Sequence, residues 1–174
     1  MTSPVDDGET LYRRVSEKSG SQPCYEVIGD RTVFSIAAFN DPAKQPSVDR
    51  AVIKCDPQMT RLSIEDGIIA LRAHAIRQIG PIEQRSDKGK LTGNKYGVNV
   101  FPDPLFGNCS HAQIALVPLA NANSTFKRLK ESLARLASDA GWTIPPHTEH
   151  VPKQFKYYVR DAIMCLAHRF RGNL

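Results

Sequence analysis

The sequence is poor in cysteine and has no closely spaced cysteine pair. Its four cysteines, in 174 residues, are Cys24, Cys55, Cys109 and Cys165. Structural zinc sites use closely spaced ligands, and small secreted disulfide proteins are denser in cysteine, so the spacing argues against both classes. We therefore expect four reduced thiols and a cytoplasmic protein.

Long apolar segments are also missing. No run approaches the roughly 20 apolar residues that cross a bilayer. The first ten residues, MTSPVDDGET, are polar and acidic, whereas a secretory signal begins basic and continues apolar. These features predict a protein that neither spans a membrane nor enters a secretory pathway.

Several enzyme signatures are absent. The sequence has no phosphate-binding G-x-x-x-x-G-K-[ST] loop, no G-x-G-x-x-G, no H-E-x-x-H and no G-x-S-x-G. A Ser-His-Asp set can be drawn from Ser35, His111 and Asp103, but only geometry decides such a triad. His147 and His150 have metal-ligand spacing without an obvious third ligand. No pattern implies a metal or a cofactor, and whether the protein is an enzyme stays open.

Positive charge is what the sequence does have. The formal net charge is +5 and the sequence pI is about 9.1, which favours an acidic partner such as nucleic acid, a nucleotide or an acidic protein. The basic residues concentrate in the polar stretch 81–95, predicted to be a surface loop, and in the last predicted helix. The candidate anion-binding residues are Arg85, Lys88, Lys90, Lys95, Lys153, Lys156, Arg160, Arg169 and Arg171.

The chain length and the apolar patterns predict one α+β domain. We expect a mostly antiparallel sheet of about five or six strands and two longer C-terminal helices, with residues 1–9 as a loose tail, 10–145 as the core and 146–174 as a basic amphipathic helix. Strands are predicted at 10–15, 32–39, 96–101 and 111–117, and a helix at 123–140. Residues 67–77 fit either a helix or, as we prefer, a strand followed by a helical turn.

The stretch 32–51 predicts a strand, a loop and a helix entry. Ser47 suits a helix cap and Asp49 suits the first helical turn. Ser35, Ser47, Asp49 and Arg50 would then line a strand-to-helix junction. Alternatively, Ser47 is only a cap and the two charged residues are solvated.

Arg13 and Arg14 are adjacent on a predicted strand, so their side chains point to opposite faces. An inward arginine needs an anion or a carboxylate partner. The alternative is an edge strand from which both arginines reach water.

A last helix is predicted from Pro152 to Arg171. Its apolar stripe consists of Phe155, Val159, Ile163, Leu166 and Phe170. This stripe either packs on its own domain or docks into a partner, which would make the protein an assembly subunit.

Several fragments together resemble a bacterial family of small, largely uncharacterised proteins. They are LYRRV, S-x-A-A-F, S-V-D-R-A, G-I-x-x-L-x-A-x-x-I-R, V-x-V-x-P-D-P and S-H-A-Q-I, and they span residues 11–142. The resemblance implies no established activity. It directs attention to Arg13, Arg14, Ser35, Ser47, Arg77, Asp103 and His111.

The chain is also similar to ADP-ribosyltransferase-like and RES-type toxin domains, which open with an aromatic-Arg strand and place a serine on a following strand. That likeness implies nicotinamide dinucleotide binding. The expected late-strand glutamate is missing, since His111 and Gln113 stand there.

Two main functions follow. The leading hypothesis is a binding module for nucleic acid or another anionic partner, within a defence or toxin-type system. The alternative is a small nucleotide- or NAD-processing enzyme, in which Arg13 or Arg14 holds phosphate while Ser35 and His111 lie in the cleft.

Overall fold

The computed structural model describes residues 3–42, 44–86, 88–120 and 123–149. Strands make up most of the elements in this part of the chain. The strands are β1 (Thr10–Val15), β2 (Lys18–Ser19), β3 (Gln22–Pro23), β4 (Tyr25–Ile28), β5 (Arg31–Phe34), β6 (Ser47–Arg50), β7 (Gly67–Arg72), β8 (Ile82–Arg85), β9 (Leu91–Pro102) and β10 (His111–Val117). The helices are α1 (Ala73–Arg77) and α2 (Asn123–Ala140), with 3-10 turns at Ile36–Phe39 and Pro57–Thr60.

Six strands form one antiparallel sheet in the order β7-β1-β6-β10-β9-β8. Two small ribbons, β2-β3 and β4-β5, stand beside it. The predicted α+β class and mostly antiparallel sheet are confirmed, as is α2, the first of the two longer helices. The second, with its apolar stripe, lies outside the described residues.

The core fills one face of the sheet. Leu11 and Val15 alternate with half-buried neighbours along β1 and point into this core, which also contains Leu129 and Leu133 of α2. An 18-residue helix with one apolar stripe buries that stripe and leaves its charges in water. The opposite face of the central strands is left for polar side chains.

The helix predicted after Ser47 is wrong. Residues Ser47–Arg50 form β6, which lies between β1 and β10 and hydrogen-bonds to both. Both neighbouring strands come from distant parts of the chain, so pairing with them overrides the local preference for a helix cap. The strand predicted through residue 39 is wrong in its second half, where Ser35 caps the 3-10 turn by accepting from the Ala37 N–H at 3.1 Å.

The surface loop predicted at 81–95 is also wrong, because this stretch forms the β8-β9 hairpin. Strand β8 is polar and lies at the sheet edge, so it lacks the apolar alternation that marks a half-buried strand. The preferred interpretation of residues 67–77 is confirmed, since strand β7 leads directly into α1. The backbone after Trp142 returns to the sheet, where Ile144 bridges Ile68.

The segment before β1 is attached to the core. Val5 is buried, and Arg50 donates to the Ser3 carbonyl at 2.7 Å and to Glu9 at 2.8 and 2.9 Å. Arg77 also contacts this segment, since it donates to the Val5 carbonyl at 2.8 Å and to Asp7. A buried and a half-buried arginine therefore fix the entry to the sheet.

The prediction of four reduced thiols is wrong at Cys109, which is disulfide-bonded. Cys24 is a buried free thiol and Cys55 an exposed one. Within the described ranges, no helix is long and apolar enough to cross a membrane.

Candidate functional site

A cavity of about 600 Å³ borders polar side chains of the central strands and also reaches core residues such as Val15, Ala38 and Val48. Tyr12 and Arg14 come from β1, Asp49 from β6 and His111 from β10. The register pairs Tyr12 with Asp49 and Asp49 with His111, which places the three side chains in one row across the sheet. Directly paired residues have Cβ atoms about 4.5–5.5 Å apart, so this row is a compact cluster of titratable groups.

Asp49 is the centre of a buried hydrogen-bond network. It accepts from Lys54 Nζ at 2.8 Å, from Asn108 Nδ2 at 2.9 Å and from Ser110 Oγ at 3.1 Å. Burial raises the pKa of Asp49, but the charge of Lys54 and the hydrogen bonds outweigh it and leave the pKa below its ordinary value. Asp49 is therefore a carboxylate at neutral pH, with Lys54 Nζ 2.8 Å away.

His111 has one ring nitrogen held and one left for the cavity. Its Nδ1 lies 2.6 Å from the Asp103 carbonyl oxygen, which can only accept, so Nδ1 carries a proton. In the neutral ring Nε2 then has the lone pair, and it makes no hydrogen bond to any residue of the described ranges. Asp103 also accepts from Gln113 Nε2 at 2.7 Å, which fixes the segment that orients the imidazole.

Positive charge exceeds negative charge around the cavity. Among the described residues, five cationic side chains and two carboxylates line it: Arg13, Arg14, Lys18, Lys54 and Arg61, against Asp41 and Asp49. Two ion pairs of 2.8 Å, Arg13–Asp41 and Lys54–Asp49, each cancel one positive and one negative charge. The excess positive charge therefore resides on the other three cations.

Those three cations have weak or no carboxylate partners. Arg61 is only 2% exposed, yet among the described residues its guanidinium donates only to neutral oxygens, of Gln58, Ile64 and Thr148. Arg14 lies 3.8 Å from Asp66 and its side chain is 39% exposed. Lys18 is exposed and has no ion pair within the described residues. A buried cation without a counter-charge is costly, and it makes the cavity favourable for an anion.

Tyr12 adds a neutral hydroxyl to the row. Burial raises the pKa of Tyr12, and the nearby Cys55 and Asp56 raise it further. The phenol therefore stays protonated at neutral pH and can donate a hydrogen bond to a ligand oxygen.

The residues predicted to form an enzyme site do not all come together in the structure. Arg14 and His111 line the cavity on the polar face. Arg13 also borders it, but as the inward arginine of β1 it donates to the carbonyls of Ala38 and Ser47 and pairs with Asp41. Burial lowers the pKa of Arg13, and Asp41 opposes that shift. Arg13 is thus held by the protein itself.

Ser35 lies apart from the cavity lining. Its hydroxyl donates to the Pro23 carbonyl at 2.6 Å and caps the 3-10 turn. Ser47 does line the cavity and lies 3.3 Å from Asp41. Of the residues highlighted by the family resemblance, Arg77 contacts the N-terminal segment and Asp103 positions His111.

The predicted basic cluster lies on the β8-β9 hairpin, at the edge of the sheet next to β10. Arg85 donates to the Gly89 carbonyl at 3.0 Å, and Lys95 lies 3.2 Å from Glu83. Lys88 and Lys90 are exposed. The remaining predicted cations are outside the described residues: Lys153, Lys156, Arg160, Arg169 and Arg171.

Sequence reasoning missed Lys54, Asn108 and Arg61. Each lies in a turn, a loop or the connection after a 3-10 turn, and only the folded sheet brings them to the cavity. The alternation of β1 did contain a signal for Tyr12, because it shares a face with Arg14.

Comparison with protein-family models, with curated proteins and with solved structures finds no match. The resemblance to a bacterial family and the likeness to toxin domains therefore stay predictions.

Proposed function

We propose that this protein binds an anionic ligand, a nucleotide or nucleic acid, and that the anion binds in the cavity beside Tyr12, Arg14 and His111. The observation that carries the proposal is the excess of cationic side chains around a concave site. In the part of the chain that the structure describes, Arg14, Lys18 and Arg61 have no carboxylate partner closer than the 3.8 Å between Arg14 and Asp66. A cleft lined by charge of one sign concentrates ligands of the opposite sign.

The cavity is a better anion site than the hairpin. One of the hairpin's four cations already has a carboxylate partner within the hairpin, namely Lys95 with Glu83. Exposed lysines such as Lys88 and Lys90 are ordinary on a basic surface. The cavity instead combines cations with a buried carboxylate network and a histidine, and its volume falls in the usual range for small-molecule sites.

A matched pair of double variants tests whether the anion binds in the cavity or on the hairpin. The cavity variant is Arg14→Gln with Lys18→Gln, and the hairpin variant is Lys88→Gln with Lys90→Gln. Both remove two positive charges from solvent-accessible positions, where substitutions change stability by about 0.5 kcal/mol or less. The measurement is fluorescence anisotropy with a labelled single-stranded oligonucleotide and with a labelled nucleotide, over a range of salt.

We expect the cavity variant to bind at least about tenfold more weakly and the hairpin variant to bind like the wild type. The logarithmic salt slope for single strands should shrink by about 0.7 for each phosphate that the variant no longer neutralises. Absence of wild-type binding at low salt would refute the proposal. Weakening only in the hairpin variant would move the site to the hairpin.

A second candidate function is supported by the geometry of His111. A histidine whose Nδ1–H is fixed by a carbonyl presents a basic Nε2, which is the arrangement of a general base. We propose that His111 takes a proton from a water molecule that hydrolyses the bound nucleotide, while Arg14 and Tyr12 hold the ligand. The water oxygen bonds to the attacked atom, the leaving group departs with the electron pair of the broken bond, and the proton passes from His111 to the leaving group or to solvent.

Incubation with NAD and other nucleotides, followed by mass analysis of the products, tests this activity. His111→Gln should lower turnover by about 10²- to 10⁴-fold, as the removal of a general base does, while ligand binding stays within a few-fold of the wild type. Equal turnover in the two proteins would exclude His111 from this role, and no product from the wild type would leave only the binding function.

A further inference from the structure

Phe106 is a fully exposed aromatic side chain at the mouth of the cavity. Leu105 beside it is half exposed and also lines the cavity. Exposed single apolar residues are common, but this one borders a cavity with an excess of positive charge. An aromatic face next to a cationic site is the combination that single-stranded nucleic acid and nucleotide sites use.

The loop that carries Phe106 is firmly built. Leu105 and Asn108 exchange two backbone hydrogen bonds of 3.0 Å, and Gly107 supplies the positive φ of +80° that this tight turn requires. The Asn108 side chain then donates to Asp49 and accepts from Lys54 Nζ at 3.3 Å. The turn is thus tied directly to the buried network of the cavity, which fixes where Phe106 is presented.

We infer that Phe106 stacks on the base of the bound ligand, so that the ligand is a nucleotide unit and not a bare phosphate. This inference rests on the proposed anion site. A nucleotide has a charged phosphate group at one end and a planar aromatic base at the other. Arg14 and Lys18, whose side chains reach solvent, suit the first, and the free face of Phe106 suits the second. Stacking accepts any base, because each base has an aromatic face.

Paired ligands that differ only in the base test the inference. One pair is adenosine triphosphate and ribose 5-triphosphate, and the other is a short oligothymidine and an abasic strand of the same length. Titration calorimetry is carried out on the wild type, on Phe106→Ala and Phe106→Trp, and on Leu119→Ala. Leu119 is a matched control, since it is exposed and apolar but not part of the cavity lining.

The wild type should bind the base-containing member of at least one pair more tightly. Phe106→Ala should weaken that binding by about 5- to 150-fold, the range that base–aromatic stacking covers, and leave the binding of the matching base-free ligand unchanged. Phe106→Trp should keep the preference, and Leu119→Ala should behave like the wild type. If only the nucleotide pair shows this loss of affinity, the ligand is a free nucleotide. If only the oligonucleotide pair shows it, the ligand is single-stranded nucleic acid.

Two results would overturn the stacking inference and still be compatible with the proposed anion site. They are equal affinity of the wild type for both members of each pair, and a preference for the base that survives in Phe106→Ala. Failure of all four ligands to bind the wild type would instead refute the anion site itself. Because Phe106 is fully exposed, its variants should melt like the wild type, so a decrease in affinity reports on stacking.

Discussion

Asp49 joins two segments that are far apart in the sequence. Its carboxylate contacts Lys54 in the turn after β6, Asn108 in the Phe106 loop and Ser110 just before β10. Removing one partner from such a buried pair leaves an uncompensated charge, which costs about 3–5 kcal/mol. Asp49 therefore stabilises the fold as well as shaping the cavity.

Asp49→Asn should destabilise the protein by about 3–5 kcal/mol at neutral pH, because Lys54 stays buried without its counter-charge. The folded state lowers the pKa of Asp49 from 3.8. Its contribution is thus fully present above the unfolded-state pKa and is lost as the pH falls through the lower, folded-state pKa. The difference in the free energy of unfolding between wild type and variant should therefore narrow as the pH falls below about 4.

Urea unfolding from about pH 7 to about pH 2.5 measures that difference, a range that spans the ordinary pKa of an aspartate. Asp139→Asn, at an exposed carboxylate near the end of α2, is the control and should track the wild type at every pH. If the difference in the free energy of unfolding between wild type and Asp49→Asn stayed constant down to the lowest pH, the pKa of Asp49 would not be lowered in the folded protein.

At the scale of elements, strand β1 shows how much local pattern predicts. Its bounds and its alternation are visible in the sequence, and so are the single apolar face of α2 and the nearly continuous apolar run of β10. Strand β6 was not predictable in this way. Asp49 and Arg50 are buried charges, and their partners at positions 54, 108 and 9 meet them only in the folded protein.

The candidate site was predictable in part for the same reason. Arg14 and His111 are on regular strands, and both line the cavity as the sequence suggests. Ser35 follows a strand and was placed in the cleft, but the chain turns there into a 3-10 helix that uses its hydroxyl as a cap. Loop residues such as Phe106 and Asn108 have no periodic signal, so their place at the cavity depends on the fold.

The contact between β7 and the segment after α2 leads to a further prediction. A Cβ built on Gly67 would lie 2.8 Å from Trp142 Cε3 and Cη2. The indole packs edge-on against Phe34 at 4.6 Å and Tyr25 at 5.1 Å between ring centroids, so it cannot move aside freely. Gly67→Ala should cost about 1–3 kcal/mol, as overpacking of a core does.

Trp142 is the only tryptophan, so its fluorescence reports directly on this contact during unfolding in urea. Gly97→Ala is the matched control on β9, where the added Cβ would lie at an ordinary 3.5 Å from the backbone oxygen of Val117. Equal stability of the two variants would mean that the indole is not held against β7.

For the whole molecule, the antiparallel sheet separates stability from binding. One face packs against α2 and holds the apolar core, whereas the other presents Tyr12, Asp49 and His111 in one row. A net charge of +5 gives the protein a general attraction to anions, but it does not select a site. Selection arises where cations without close counter-charges surround a concave surface.

Nuclear magnetic resonance of ¹⁵N-labelled protein titrated with adenosine triphosphate can locate the bound anion residue by residue. If the cavity binds it, the amide signals of Tyr12, Arg14, Asp49 and the Phe106 loop should shift together and saturate with a single affinity, while those of the hairpin around Lys88 stay in place. Shifts confined to the hairpin, or no saturable shift anywhere, would contradict the claim that the cavity binds the anion.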